Sequence, residues 1–135
     1  MVPDQQKQHP LVLIVDDYDD GREMFAEFLE CSGFRVAQAK TGREGMAKAR
    51  ELLPDIVLMD LSLPDMDGRE ASRQLRKDVQ TRDIPVVALT GHSLPTLGEA
   101  AALYDALVTK PCMPDALLNE VKRVLQASVQ GKLNR

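Results

Sequence analysis

Between Leu11 and Ser128 two kinds of segment alternate, and that alternation leaves the chain few possible folds. LVLIV (Leu11–Val15) is a continuous apolar run too short for a helix, as expected of a strand covered on both faces. After Asp16 and Asp17 the period becomes helical. In DGREMFAEFLECSG, Met24, Phe25, Phe28 and Leu29 share one face, and Gly33 is placed to cap the end. FRVAQA (Phe34–Ala39) alternates as a short strand. GREGMAKARELL reads as a helix with Met46, Ala49, Leu52 and Leu53 inward, stopped by Pro54. DIVLMD (Asp55–Asp60) is a second buried-type strand, and GREASRQLRKD a polar-faced helix. IPVVALTG (Ile84–Gly91) is a strand, LPTLGEAAALYD a helix of small and apolar residues, and ALVTKP a short strand. PDALLNEVKRVLQAS closes the series as an amphipathic helix with Leu117, Leu118, Val121, Val124 and Leu125 inward.

The order βαβαβαβαβα predicts an α/β fold: a doubly wound, five-stranded parallel sheet with five helices on its two faces. A length of 135 residues suits one domain, expected over residues 11–128, with flexible tails at 1–10 and 129–135. Hydrophobic residues make up 44% and charged residues 28%, which excludes wholesale disorder. A net charge of −4 without a dense Lys/Arg tract argues against direct nucleic-acid binding, because phosphate contacts need a basic footprint. Cys31 and Cys112 form no CxxC, so they read as two free thiols in a reducing compartment rather than a zinc site. No apolar run approaches the roughly 20 residues that span a bilayer, and the first residues lack an apolar signal core. A cytoplasmic protein is expected, with no membrane contact.

In a parallel sheet, ligands bind outside the carboxyl ends of the strands. The polar residues at those ends therefore form one constellation. The first strand supplies Asp16 and Asp17, the third Asp60, the fourth Thr90 and the fifth Lys110. Crowded carboxylates repel one another and call for a cation. Oxygen-only ligands suit a hard ion such as Mg²⁺. An ammonium and a hydroxyl beside a metal-bound carboxylate suit that carboxylate to accept a phosphoryl group, where the protein mainly positions groups and neutralises charge. Each residue also has an ordinary role open to it: Asp16 and Asp17 as helix caps, Asp60 as a loop-entry carboxylate, Lys110 as a solvated lysine, Thr90 as a strand-end hydroxyl. Those roles would require four coincidences at one sheet edge.

LIVDDYDD, LMDLSLPDMDG, ALTG and TKP, in this order and each ending its strand, resemble the motifs of the receiver domain of two-component response regulators. The match runs from about Leu11 to Ser128 and is of the single-domain, chemotaxis-regulator-like kind. The resemblance implies a flavodoxin-like strand order 2-1-3-4-5, for which the chemotaxis regulator is a standard example. It implies that Asp60 is the phosphoryl acceptor, that Asp17, Asp60 and the Leu61 main-chain carbonyl bind Mg²⁺, and that Asp16 helps through water. Lys110 would bridge to Asp60 and then to the phosphoryl group. Thr90 would turn inward to a phosphoryl oxygen, and Gly91 would leave the mouth of the pocket open. The donor would be a sensor histidine kinase or a histidine phosphotransfer protein, and the product a changed docking surface around the fourth helix, fifth strand and fifth helix for a downstream protein. Such a protein is a phosphorelay component rather than an enzyme.

Lys110 must aim into the pocket while the chain turns sharply, so a cis Lys110–Pro111 bond is expected, as the resemblance also implies. Two positions depart from the family pattern. Leu107 stands where an aromatic switch residue is common, and LYDA where a glycine often ends the fourth helix. Switching is therefore expected to run through Thr90, the Gly91–Leu94 loop, and Leu94 and Leu97, with Tyr104 as the alternative moving aromatic. Ser62 and His92 border the expected phosphoryl group and would tune its hydrolysis. PDMDG reads as a plain turn, and Cys112 as a small space-filler. Two other functions fit parts of the pattern. A haloacid-dehalogenase-like phosphatase would use the first acidic strand end, but the acceptor candidate lies on the third strand. A flavin or nucleotide binder would need a phosphate loop where DDYDDG would repel phosphate.

Overall fold

Five parallel strands form one sheet in the order β2-β1-β3-β4-β5 in a computed structural model that describes residues 9–91 and 98–133. The elements are β1 (Leu11–Val15), α1 (Asp19–Cys31), β2 (Arg35–Ala39), α2 (Gly42–Leu52), β3 (Ile56–Asp60), α3 (Gly68–Lys77), β4 (Val86–Thr90), a 3-10 helix (Gly98–Leu103), β5 (Ala106–Thr109) and α4 (Pro114–Leu133). Strand order reverses between β1 and β3, so the polar ends of these two strands meet at the switch point of the sheet.

Strand alternation sorts the core into two layers. Val12, Ile14, Ile56, Leu58, Val87, Leu89 and Val108 pack with Phe25, Ala26 and Leu29 of α1 and Leu117, Val121 and Val124 of α4. Leu13, Val15, Val57, Met59, Val86 and Ala88 pack on the other face with Met46 and Ala49 of α2 and Ala71 and Leu75 of α3. β1 and β3 are covered on both sides, which is why their sequences are unbroken apolar runs.

Several expectations need correction. Four α-helices are present among the described residues, not five. The expected fourth helix is represented by the short 3-10 helix, and its beginning falls at 92–97, outside the described residues. Gly98 has φ +57 at the start of that short helix, a conformation glycine adopts freely. Met24 is 47% exposed because the buried stripe of α1 is Arg22, Phe25, Ala26 and Leu29. Leu52 and Leu53 are exposed. α2 ends at Leu52, and Leu53 turns left-handed (φ 46) to close the helix, so neither side chain continues the inward stripe. Gly33 does cap α1, with φ +100 and its N–H on the Glu30 carbonyl. Of the residues expected as tails, 9–10 and 129–133 are among those described. The Pro10 carbonyl accepts from Arg35 N, the His9 carbonyl accepts from Arg35 Nε, and α4 continues past Ser128 to Leu133.

Candidate functional site

At the carboxyl edge of the sheet, β1 runs out into Asp16 and Asp17, and β3 ends on Asp60. Alternation puts Asp16 in phase with Val12 and Ile14, and Asp60 in phase with Ile56 and Leu58. Both carboxylates therefore emerge on the α1/α4 side. One carboxylate oxygen from each of Asp16, Asp17 and Asp60 lies within 4.8 Å of the others. Asp16 and Asp60 are buried, whereas Asp17 is exposed and forms the open rim. Lys110 follows β5 and reaches back across the sheet. Its Nζ donates to Asp16 Oδ2 at 2.8 Å and to Asp60 Oδ2 at 3.1 Å. The Lys110–Pro111 peptide is cis, as the sequence led us to expect.

Each carboxylate is held by more than the lysine. Asp60 Oδ1 accepts the Ser62 N–H at 2.8 Å. Asp16 Oδ1 accepts the Tyr18 N–H at 3.0 Å, so Asp16 shapes the turn into α1 instead of capping it; the N-cap is Tyr18, without a side-chain bond. Burial raises the Asp60 carboxyl above the ordinary carboxylate range, the Ser62 N–H and Lys110 oppose that rise, and the neighbouring Asp16 adds to it. For Lys110, burial alone would lower the ammonium, but its bonds to Asp16 and Asp60 outweigh burial and leave it raised. The pocket thus holds three carboxylates against one fixed ammonium, and a further cation is the natural complement.

Thr90 ends β4 and is buried at 3% exposure. Its carbonyl accepts Lys110 N at 2.8 Å, tying the hydroxyl-bearing and ammonium-bearing strand ends together. Gly91 is exposed, with nothing within 4 Å of where a Cβ would stand. The Leu61 carbonyl accepts Gly68 N at 3.2 Å, so a metal could use only its second lone pair. Ser62 is exposed beside Asp60; His92, Leu94 and Leu97 lie outside the described residues. Leu107 is partly buried against the α2/α3 layer, and so is Tyr104. The Tyr104 hydroxyl is buried without a bonding partner among the described residues, and the nearby Ser72 hydroxyl donates to the Gly68 carbonyl at 2.8 Å instead. Burial raises the Tyr104 phenol. Cys112 is half-buried against the α1/α4 layer, in keeping with a space-filler.

Two site-forming residues escaped the sequence reading. PDMDG is more than a turn: a Cβ on Gly68 would stand 2.3 Å from the Asp60 carbonyl oxygen and 2.7 Å from Leu61 Cα, so α3 starts directly against the end of β3 only because residue 68 is glycine. Arg22 is a buried arginine on the inward stripe of α1. Its position three residues before Phe25 and seven before Leu29 was the available signal.

An open parallel sheet with an acidic pocket at its switch point and a lysine bridging two of the acids defines the class of CheY-like α/β proteins. Within that class the profile of the response regulator receiver domain matches residues 12–122, and the chain belongs to that family. It is 38% identical over 117 residues to PilH of Pseudomonas aeruginosa, a match covering 84% of this chain and 96% of PilH. The solved chemotaxis protein CheY4 of Vibrio cholerae is 31% identical, with a TM-score of 0.81 over 86% of this chain and 98% of CheY4. The response regulator TrrA of Thermotoga maritima, solved in complex with Mg²⁺-BeF, is 28% identical, with a TM-score of 0.77 over 85% of this chain and 98% of TrrA. The chain is thus a receiver domain of two-component signalling. Among the described residues no helix is long and apolar enough to cross a membrane.

Proposed function

We propose that Asp60 accepts a phosphoryl group from a sensor histidine kinase or a histidine phosphotransfer protein, in a reaction that requires Mg²⁺, and that the product switches a protein-docking surface. The observation that carries this reading is the Lys110 bridge: one ammonium between Asp16 and Asp60, inside a trio of carboxylates within 4.8 Å. Asp17 and Asp60 fit direct ligation of the ion, with Asp16 acting through water. The Leu61 carbonyl is the least favoured ligand, because it already accepts a hydrogen bond. The ion supplies charge neutralisation that lets an anionic phosphoryl group approach three acids. That TrrA was solved with Mg²⁺-BeF supports a like site here.

This chain's residues supply the rest. The Ser62 N–H orients Asp60 so that one oxygen stays bonded while the other faces the pocket. Lys110, freed from Asp60 once that oxygen takes the phosphoryl group from the donor's phosphohistidine as an acyl phosphate, pairs with the new oxygens, and Thr90 offers its hydroxyl from the neighbouring strand. The acyl phosphate adds roughly −2 of charge and new acceptor oxygens, enough to bias a loop with two arrangements. The domain acts in the cytoplasm and by docking, as a phosphoacceptor without catalytic turnover of its own.

The test is intact mass after incubation with acetyl phosphate and Mg²⁺. Wild type should gain one phosphoryl group, Asp60→Asn none, and chelation by EDTA should abolish the gain. Full labelling of Asp60→Asn would overturn the assignment. Repeated turnover of a generic phosphate ester would favour the phosphatase instead.

A further inference from the structure

Resting on the reading of the pocket as a Mg²⁺ site, we infer that Arg22 is a positioning residue for that site, holding the end of β1 where Asp16 and Asp17 can share the ion. Arg22 is 3% exposed, on the inward stripe of α1 with Phe25, Ala26 and Leu29. An apolar side chain would fill such a place, and burying a guanidinium without partners is costly. Its nitrogens meet three different elements. Nη1 donates to the Asp16 main-chain carbonyl at 2.9 Å, Nε donates to Gln38 Oε1 at 2.8 Å, and Nη2 pairs with Asp19 Oδ1 at 2.8 Å.

These contacts act where the acidic pair leaves the sheet. β1 ends at Val15, and the Asp16 N–H makes one further bond, to the Ala39 carbonyl of β2. Arg22 takes the carbonyl of the same residue, so the peptide joining Asp16 to Asp17 is fixed by a group rooted in α1. Gln38 is itself anchored, since it stands in register opposite Ile14 and its carbonyl accepts from Lys48 Nζ. The guanidinium therefore pins the β1 end to the β2 end and to the first turn of α1. With Asp16 Oδ1 on the Tyr18 N–H and Oδ2 on Lys110, Asp16 has little freedom to turn. Asp17 is exposed and has no such bonds of its own among those described, so its place depends on that peptide. A lysine at 22 could satisfy only one or two of the three acceptors, and lacks the planar fork that reaches all three at once.

The experiment titrates unphosphorylated protein with MgCl₂ by calorimetry, well below the melting temperature, for wild type, Arg22→Lys, Arg22→Met and Leu75→Ala. Leu75→Ala is a destabilised control whose site lies in the α2/α3 layer, away from the pocket. Supporting residues behind metal ligands typically alter affinity by about 10–100-fold when removed. Arg22→Met should weaken Mg²⁺ by at least about tenfold on that scale, Arg22→Lys should recover part of the loss, and Leu75→Ala should bind like wild type. In metal-free protein the Asp17 amide signal should move in both Arg22 variants. Folded Arg22 variants that bind Mg²⁺ within about twofold of wild type would overturn the inference, as would an equal loss in Leu75→Ala, since a tenfold change is the scale expected. Should Arg22→Met fail to fold, Arg22→Lys decides by the same criterion. Wild type that binds no Mg²⁺ would instead overturn the reading of the pocket itself, and this inference with it.

Discussion

The end of β3 and the end of β5 both deliver a charged group to one pocket, yet they are built differently. All five residues of β3 are buried, and both oxygens of its terminal Asp60 are bonded. β5 is an edge strand with one buried residue in four. Its Leu107 is only partly covered, and the turn before it carries Tyr104, whose hydroxyl has no bonding partner among the described residues. The difference teaches where rigidity is needed and where it is spared. The proposed acceptor carboxylate must hold its spacing to a metal and a lysine, whereas the proposed readout region must have a second arrangement within reach. A central strand walled by helices suits the first requirement, and a thinly covered edge the second.

The largest expected contrast is in stability. Leu58→Ala empties a site enclosed by both α1 and α4 and should cost about 2–5 kcal/mol, while Leu107→Ala, on the edge, should cost roughly half as much or less. Denaturant midpoints at constant m would measure both, and equal losses would break the comparison. Gly68→Ala should come next. Its methyl would run into the Asp60 carbonyl, so we expect a loss of about 1–3 kcal/mol together with slower acetyl phosphate labelling, read by intact mass.

Asp60→Asn should act in the opposite direction. Its folded carboxyl is raised above the unfolded value of 3.8. The stability this group contributes is therefore present below 3.8 and lost as pH rises through the higher folded value. At pH 7 without metal the ionised side chain is a burden, so the neutral amide should raise the melting temperature by a few degrees, and the gain should shrink on acidification through the range between the two values. A lower melting temperature at pH 7 would mean that the Lys110 pairing outweighs burial.

A smaller effect separates the two candidates for movement. Backbone amide shifts with and without beryllofluoride should change at residues 91–97 in wild type, be suppressed in Thr90→Ala, and persist in Leu107→Ala. Loss in Leu107→Ala with the fold intact would show that the edge residue gates the signal despite lacking an aromatic ring. The smallest change is Tyr104→Phe, which removes a buried hydroxyl without a bonding partner among the described residues and should stabilise by about 1 kcal/mol in thermal unfolding.

Much of the molecule was legible before any coordinates. Continuous apolar runs at 11–15 and 56–60 required strands covered on both faces, alternation with helical periods required parallel pairing, and parallel pairing required the polar strand ends to gather at one edge. That chain of reasoning located Asp16, Asp17, Asp60, Thr90 and Lys110 because each sits where a period breaks. Periodicity alone could not tell how a helix rotates about its axis by one position. Met24 and Arg22 therefore exchanged roles, since a helix stripe is wide enough to admit either and only packing against β1 and β2 selects one. Nor could local pattern tell that LPTLGEAAALYD would close as a 3-10 helix over Gly98–Leu103, where the small residues favoured a regular helix.

The sequence by itself determined the strand–helix order, the buried character of β1 and β3, and the identity of the groups at the carboxyl edge, because these follow from short-range periods and from the chirality of parallel connections. Only the tertiary structure decided that Lys110 would bridge Asp16 as well as Asp60, that Gly68 would lie against the Asp60 carbonyl, and that a buried Arg22 would tie β1 to β2. Those contacts join residues 94, 8 and 16 positions apart, respectively, as Lys110 with Asp16, Gly68 with Asp60, and Arg22 with Gln38. Their geometry depends on how the sheet twists and how closely each helix seats on it, quantities that no local pattern of residues encodes.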